Sequence, residues 1–191
     1  MLALFVHLDT ILFNLFNQTL ANPVLDWIMP RLTNLNNWRL PLLLIWLALM
    51  FWGGRKGRTA AILIILTIAL SDQISSAVIK PFVHRIRPCH VIKTVHLLVG
   101  CSGSFSFPSS HATNSMAAAS LFAGFYPKIR WYLYTLAGLI AFSRVYVGVH
   151  YPFDVITGAI LGFLIGWLIV AGYKKFLKAR IEILRENANG L

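Results

Sequence analysis

Long apolar runs, broken by short polar clusters, dominate this chain. Four runs read as membrane-spanning helices: residues 60–79, 110–126, 131–149 and 152–173. A fifth, 40–52, is short but extends back through Trp38. At ~1.5 Å of rise per residue each approaches the ~30 Å hydrocarbon thickness of a bilayer. Residues 2–16 are apolar but carry His7, Asp9 and Asn14, and Pro23 and Pro30 interrupt the next stretch. This pattern predicts N-terminal helices lying in the membrane interface, with a sixth span as the alternative. The expected fold is an all-α integral membrane bundle of five to six transmembrane helices. No repeat or linker divides it, so residues 1–191 are expected to form one domain. Within it lie a first segment (1–35), an outward loop (80–109) and a basic tail (174–191).

Composition supports this reading. Of 191 residues, 58% are hydrophobic and 12% charged, with a mean hydropathy of +0.70. Soluble domains carry about a quarter charged residues. The net charge of +11 suggests nucleic acid only at first sight. The basic residues fall in short clusters between apolar runs, which is how membrane proteins are oriented, so no nucleic-acid partner is expected. The apolar start lacks a basic n-region and a small-residue cleavage site, so it is not expected to be a cleaved signal. Arg55-Lys56-Arg58, Lys128-Arg130 and the Lys174–Arg185 cluster all fall on one side of the predicted spans. That side is expected to be cytoplasmic, which turns residues 80–109 and the turn at 149–152 outward. The expected location is the cell (inner) membrane, with those segments facing the periplasm. The outward loop is itself basic (Arg85, Lys93), an exception that an anion-binding site would explain.

Three polar clusters meet at that outer face. Ionisable groups near membrane depth are costly and mark candidate functional sites. His150 precedes Pro152, which suits the first position of a helix, and Asp154 follows in the first turn. A carboxylate bonded to one imidazole nitrogen sets the tautomer and leaves the other nitrogen free to attack. Asp is also favoured in any first helical turn, so the pair alone is not decisive. Ser109 or Ser110 reads as an N-cap that opens a helix, whose first N–H groups suit an anion. His111 is placed there to donate a proton to a leaving oxygen. Lys80, Arg87 and Arg144 form a cation set suited to phosphoryl oxygens. Lys80 on its own could be a snorkelling lysine at the end of a span. Arg144 lies among Ala141, Phe142, Val145 and Val147, where a bare cation needs an anion or several carbonyls.

Other features carry less chemistry. Asp72 shares a helix face with Ser76 and Lys80 and is expected to partner a polar group on a neighbouring helix. Gly158, Gly162 and Gly166 form a small-residue stripe suited to close packing within the monomer, or to a dimer interface; the oligomeric state is left open. Cys89 and Cys101 lie in one connection, where a bridge and two unpaired thiols both remain open. His84, His90 and His96 accompany them at spacings of six, without paired metal-ligand spacing, so no metal site is expected.

In order, the chain reads Lys80-x6-Arg87-Pro88, then Pro108-Ser109-Ser110-His111, then Ser143-Arg144-x5-His150-x3-Asp154. This resembles the three-part signature of the type-2 phosphatidic acid phosphatase family, which also includes vanadium haloperoxidases. Ser110 departs from the pattern, since the family most often has Gly there. The resemblance implies a membrane lipid phosphatase with His150 as nucleophile, Asp154 orienting it and His111 as the acid. Lys80, Arg87, Arg144, Ser109 and the Ser110 amide would bind phosphate. It implies no cofactor and no metal, since fixed cations occupy the metal's role. The implied substrate is an amphiphilic lipid phosphate; bacterial members of the family act on undecaprenyl diphosphate, phosphatidylglycerol phosphate, phosphatidic acid or lipid A 1-phosphate. A phosphate-binding lipid transporter would need the cations but not the His150–Asp154 pair. A non-catalytic scaffold would leave Arg144 unexplained.

Overall fold

The computed structural model describes residues 2–189, with side chains described for residues 4–181. Part of the predicted basic tail, including the Arg185 side chain and residues 190–191, lies outside the described residues. Every regular element among the described residues is helical, and the longest irregular stretch is 92–109. Helix α1 (Leu2–Asn14) runs into a π-helical turn (Leu15–Thr19), followed by α2 (Pro23–Thr33), α3 (Leu35–Phe51) and α4 (Gly54–Asp72). A second π-helical segment (Gln73–Ile79) leads into two short turns, α5 (Lys80–Val83) and α6 (Pro88–Val91). The bundle is completed by α7 (Ser110–Phe125), α8 (Arg130–Tyr146) and α9 (Pro152–Asn189).

Local chemistry sets several of these boundaries. Asn22 caps α2, its side chain accepting from Val24 N–H (3.1 Å) and Leu25 N–H (3.0 Å), while Pro23 takes the first helical position. Asn34 accepts from Asn36 N–H (3.0 Å) and opens α3. Gly148 has φ +86°, which favours glycine in the turn between α8 and α9.

Helix α7 lies at the centre, packed on α4, α8 and α9. The glycine stripe of α9 makes its closest approach possible. A methyl group on Gly158 would come within 2.7 Å of the Ser109 carbonyl, and one on Gly162 would strike the Thr113 carbonyl. Gly166 faces Ala117 and Ser120 in the same way. Ala112, Ala117 and Ala119 are buried on α7. Ser120 Oγ donates to the Phe163 carbonyl across the interface (2.9 Å). The stripe therefore packs helices within one chain. Asp72 likewise finds a partner on α7, accepting from Asn114 Nδ2 (3.2 Å).

The outer surface reverses the pattern of a soluble protein. Leu42, Leu44, Ile45, Ile62, Ile65, Ile160, Phe163 and Leu168 are exposed, whereas Asp9, Asn17, Ser71, Ser143 and Asp154 are buried. Contiguous exposed apolar surface of this kind suits lipid. Two helical stretches, Gly54–Val91 and Pro152–Ile181, are long and apolar enough to cross a membrane, and Leu35–Phe51 is a shorter apolar helix. At 16 and 17 residues, α7 and α8 are about 24–26 Å long.

The basic clusters gather at one end of the bundle. Lys56 Nζ sits 4.6 Å from the centroid of the Tyr126 ring, bringing the α3–α4 loop beside the α7–α8 loop. Arg130 and Lys174 line one crevice there. The candidate chemical residues occupy the opposite end.

Candidate active site

Lys80 follows the π-helical segment and is buried, with a relative exposure of 6%. Its ammonium donates to the carbonyls of Phe105 (3.0 Å) and Pro108 (2.8 Å). Both carbonyls belong to the segment entering α7, so Lys80 fixes that segment, and no carboxylate among the described residues forms an ion pair with it.

Arg87 opens α6 and is equally buried. Nε donates to the Ser104 carbonyl (2.7 Å) and Nη2 to Ser104 Oγ (2.9 Å). Nη1 donates to the Val149 carbonyl (3.1 Å) and lies 3.1 Å from His150 Nε2. The disulfide Cys89–Cys101 (Cα–Cα 6.2 Å) ties α6 to the segment carrying Ser104, resolving what the sequence left open. His90 Nε2 lies 3.3 Å from Cys101 Sγ, so Cys89, His90 and Cys101 cluster despite their spacing. In the bridge, however, the two sulfurs are not thiolates and are poor metal ligands.

Arg144 sits in the last turn of α8. Its Nη1 donates to Thr33 Oγ1 (2.7 Å), and its buried Nε has no hydrogen-bond partner among the described residues. The anion or carbonyl set expected from sequence is thus replaced, in part, by a hydroxyl from α2. Ser109 takes the N-cap position of α7, but its hydroxyl does not cap the helix; the buried Oγ has no partner among the described residues. Ser110 Oγ is turned away, toward Ser75 Oγ (3.3 Å) and Ser76 Oγ (2.9 Å). Ser110 is the first residue of α7, so its N–H has no intrahelical acceptor. His111 is half-buried in the same turn.

His150 and Asp154 meet across the start of α9, with Nδ1 3.5 Å from Asp154 Oδ2. Asp154 Oδ2 accepts from Tyr151 N–H (2.9 Å) and Oδ1 from Arg85 Nη1 (2.7 Å). His150 lies in the turn between α8 and α9 and is 2% exposed. Burial, then the cations Arg87, Arg144 and Lys80, hold its imidazole well below the usual histidine range. The ring is therefore neutral at pH 7.

The sequence marks Arg85 only as a loop cation and does not mark Ser104, Thr33 or Asp9 as site residues. Arg85 bridges Asp154 and the buried Asp9 of α1, donating to Asp9 Oδ2 (2.6 Å). An acid within an otherwise apolar run is the only signal the sequence carries for Asp9.

Lys80, Arg87, Arg144, Ser109, His111 and His150 thus come from five separate stretches of chain to one end of the bundle. Unpartnered donors and acceptors remain on Ser109, Arg144 and His150. Three fixed cations around a neutral imidazole are arranged to receive a multiply charged oxyanion.

Residues 60–178 match the PAP2 superfamily, and the chain belongs to it. It is 32% identical over 177 residues to phosphatidylglycerophosphatase B of Bacillus subtilis, covering 83% of this chain and 80% of that protein. It is 33% identical over 125 residues to a lipid A 4'-phosphatase of Porphyromonas gingivalis, covering 61% of this chain but only about half (51%) of that protein. The crystal structure of Aquifex aeolicus LpxE superposes with a TM-score of 0.73 at 27% identity, covering 86% of this chain and 95% of that one.

Proposed function

We propose that this chain is a metal-independent lipid phosphatase, a phosphoric ester hydrolase whose active site is the His150 cluster. The observation that carries this reading is the convergence of Lys80, Arg87 and Arg144 on one buried histidine backed by a carboxylate. His150 Nε2 attacks phosphorus while the bond from phosphorus to the lipid-side oxygen breaks. His111 supplies the proton that the leaving oxygen needs, and the product is a phosphohistidine with its Nδ1–H directed at Asp154. Water, giving its proton to His111, then attacks phosphorus and releases phosphate and neutral His150. Lys80, Arg87, Arg144, Ser109 and the Ser110 amide stabilise the charge on the equatorial oxygens, which is the main task of phosphoryl-transfer catalysis.

The chain is a single domain, 1–191, inserted in the inner membrane with five to six spans. The basic end faces the cytoplasm and the His150 end faces the periplasm, a reading that the loop charges support. The substrate is a phosphomonoester or diphosphate of an amphiphile whose tails stay in lipid. Undecaprenyl diphosphate, phosphatidylglycerol phosphate, lipid A 1-phosphate and phosphatidic acid are the candidates. The names of the two relatives favour lipid phosphates as a class and differ in head group.

The test is phosphate release by detergent-purified protein in EDTA over a panel of these lipids, with wild type beside His150→Ala. Release by wild type alone is expected. Equal release by a folded His150→Ala protein rejects the nucleophile, and loss of wild-type release in EDTA rejects metal independence.

A further inference from the structure

Arg85 spreads its guanidinium between two carboxylates that are distant in sequence. Nη1 donates to Asp154 Oδ1 at 2.7 Å and Nη2 to Asp9 Oδ2 at 2.6 Å. The side chains of Asp9 and Asp154 are 1% and 0% exposed. The remaining oxygens are matched in the same way. Asp9 Oδ1 accepts from Phe153 N–H (2.9 Å) and Asp154 Oδ2 from Tyr151 N–H (2.9 Å). Arg85 Cζ also lies 4.1 Å from the centroid of the Tyr151 ring. The turn carrying His150 is therefore flanked by two anions that share one cation.

The charge balance of this cluster bears on His150. As Nε2 donates its electron pair to phosphorus, the ring gains positive charge at Nδ1, and the Asp154 carboxylate must answer it. A buried carboxylate paired one-to-one with a guanidinium presents a nearly neutral pair and answers weakly, even where the guanidinium is partly exposed, as that of Arg85 is (22%). Asp9 draws off half of the guanidinium fork, so the three groups together stay anionic toward the ring. We propose that Asp9, carried by the N-terminal helix α1, is a positioning residue for the phosphoryl-transfer reaction: it is the counter-ion of Arg85 and leaves the charge of Asp154 available to His150. This rests on the reading of His150 and Asp154 as nucleophile and partner. It gives α1 a task in the chemistry, beyond packing Phe13 on Tyr151 (ring centroids 5.5 Å apart) and Phe5 on Phe153 (6.1 Å).

A purely structural clamp and a counter-ion make opposite predictions when Arg85 is removed as well. The experiment uses the full-length protein in detergent with the lipid phosphate that wild type hydrolyses best. Asp9→Asn keeps an acceptor for Phe153 N–H but loses the charge. It is expected to lower kcat about 10–100-fold, with KM within about threefold, the scale of loss typical of groups that orient a reacting residue. Adding Arg85→Gln to Asp9→Asn frees Asp154 and is expected to restore kcat at least about fivefold over Asp9→Asn alone. A double variant no faster than Asp9→Asn overturns the proposal, because losing two clamps cannot help.

The pH profile gives a second readout. His150 faces Lys80, Arg87, Arg144 and His111 on one side and Asp154, backed by Arg85 and Asp9, on the other. Removing the Asp9 charge should move the acid limb of kcat/KM to lower pH; an unmoved limb counts against the proposal. If Asp9→Asn alone does not fold, Arg85→Gln is compared with the double variant. With the cation gone, Asp9 has no charge to balance, so the two should differ in kcat by less than about twofold; a tenfold gap overturns the proposal. Absence of turnover by wild type on every lipid would instead remove the functional reading on which this one rests.

Discussion

Arg87 Nη1 lies 3.1 Å from His150 Nε2, so a cation occupies the lone pair assigned to nucleophilic attack. Arg87 can only donate, which makes Nε2 the acceptor and places the ring proton on Nδ1, toward Asp154. The tautomer is thus set from the Arg87 side, while Nδ1 lies 3.5 Å from Asp154 Oδ2 without a hydrogen-bond partner among the described residues. In the mechanism proposed above, the oxygens of an entering phosphoryl group would offer Arg87 a stronger acceptor and release Nε2 toward phosphorus.

Arg87→Lys tests this relationship. Lysine keeps the charge but cannot hold Ser104 Oγ, the Ser104 and Val149 carbonyls and His150 together, as the fork does. Loss of charge-assisted bonds worth about 1.5–3 kcal/mol should lower kcat/KM roughly 10–150-fold and weaken inhibition by vanadate in parallel. Steady-state kinetics and vanadate titration check this; unchanged values would show that the fork is not needed.

The depressed basicity of His150 has a sign that can be measured. Its folded-state pKa lies below the usual value of about 6.5. The folded protein therefore binds fewer protons than the unfolded chain as pH falls through 6.5, and stability from this group, complete above that value, is lost toward acid. For activity, the proposed nucleophile is held neutral by the same burial and cations. The acid limb of kcat/KM, corrected for ionisation of the substrate phosphate, is expected below about pH 6.5. A limb centred above it contradicts the neutral, cation-surrounded ring.

Thr33 should matter more than its place in α2 suggests. Its hydroxyl accepts from Arg144 Nη1 at 2.7 Å. Thr33→Val keeps the shape and removes the acceptor, leaving a buried guanidinium less anchored. A hydrogen bond to a charged group is worth about 1.5–3 kcal/mol, so kcat/KM should fall at least about tenfold. The loss should exceed that of Thr10→Val, whose hydroxyl bonds only within its own helix.

The α7–α9 contact makes a prediction about stability alone. Gly162→Ala drives a methyl into the Thr113 carbonyl of α7. Overpacking of this kind costs about 1–3 kcal/mol, and Tm in detergent should fall. Gly172 has nothing within 4 Å of the corresponding position, so Gly172→Ala should leave Tm level or raise it slightly, by helix propensity.

Much of this molecule was determined by the sequence alone, because the signals are local. Apolar runs and capping residues mark the helices, and the i, i+4, i+8 glycines mark the face of α9 that can meet another backbone. Charges in apolar surroundings point to Lys80, Arg87, Arg144, His150 and Asp154, since such groups are costly unless they are used. What the tertiary structure decided is how those charges are held. Lys80 is fixed by two backbone carbonyls, which every residue possesses and no sequence pattern distinguishes. Ser110 turns its hydroxyl to the π-helical segment rather than the site. The bridge between Cys89 and Cys101 needed a Cα separation that spacing cannot supply. Asp9 and Thr33 reach the site across 144 and 111 residues through contacts with Phe153 and Arg144. Such contacts are made only when α1 and α2 fold back on α8 and α9, and an acid or a threonine in an N-terminal helix carries no local trace of the partner it will find there.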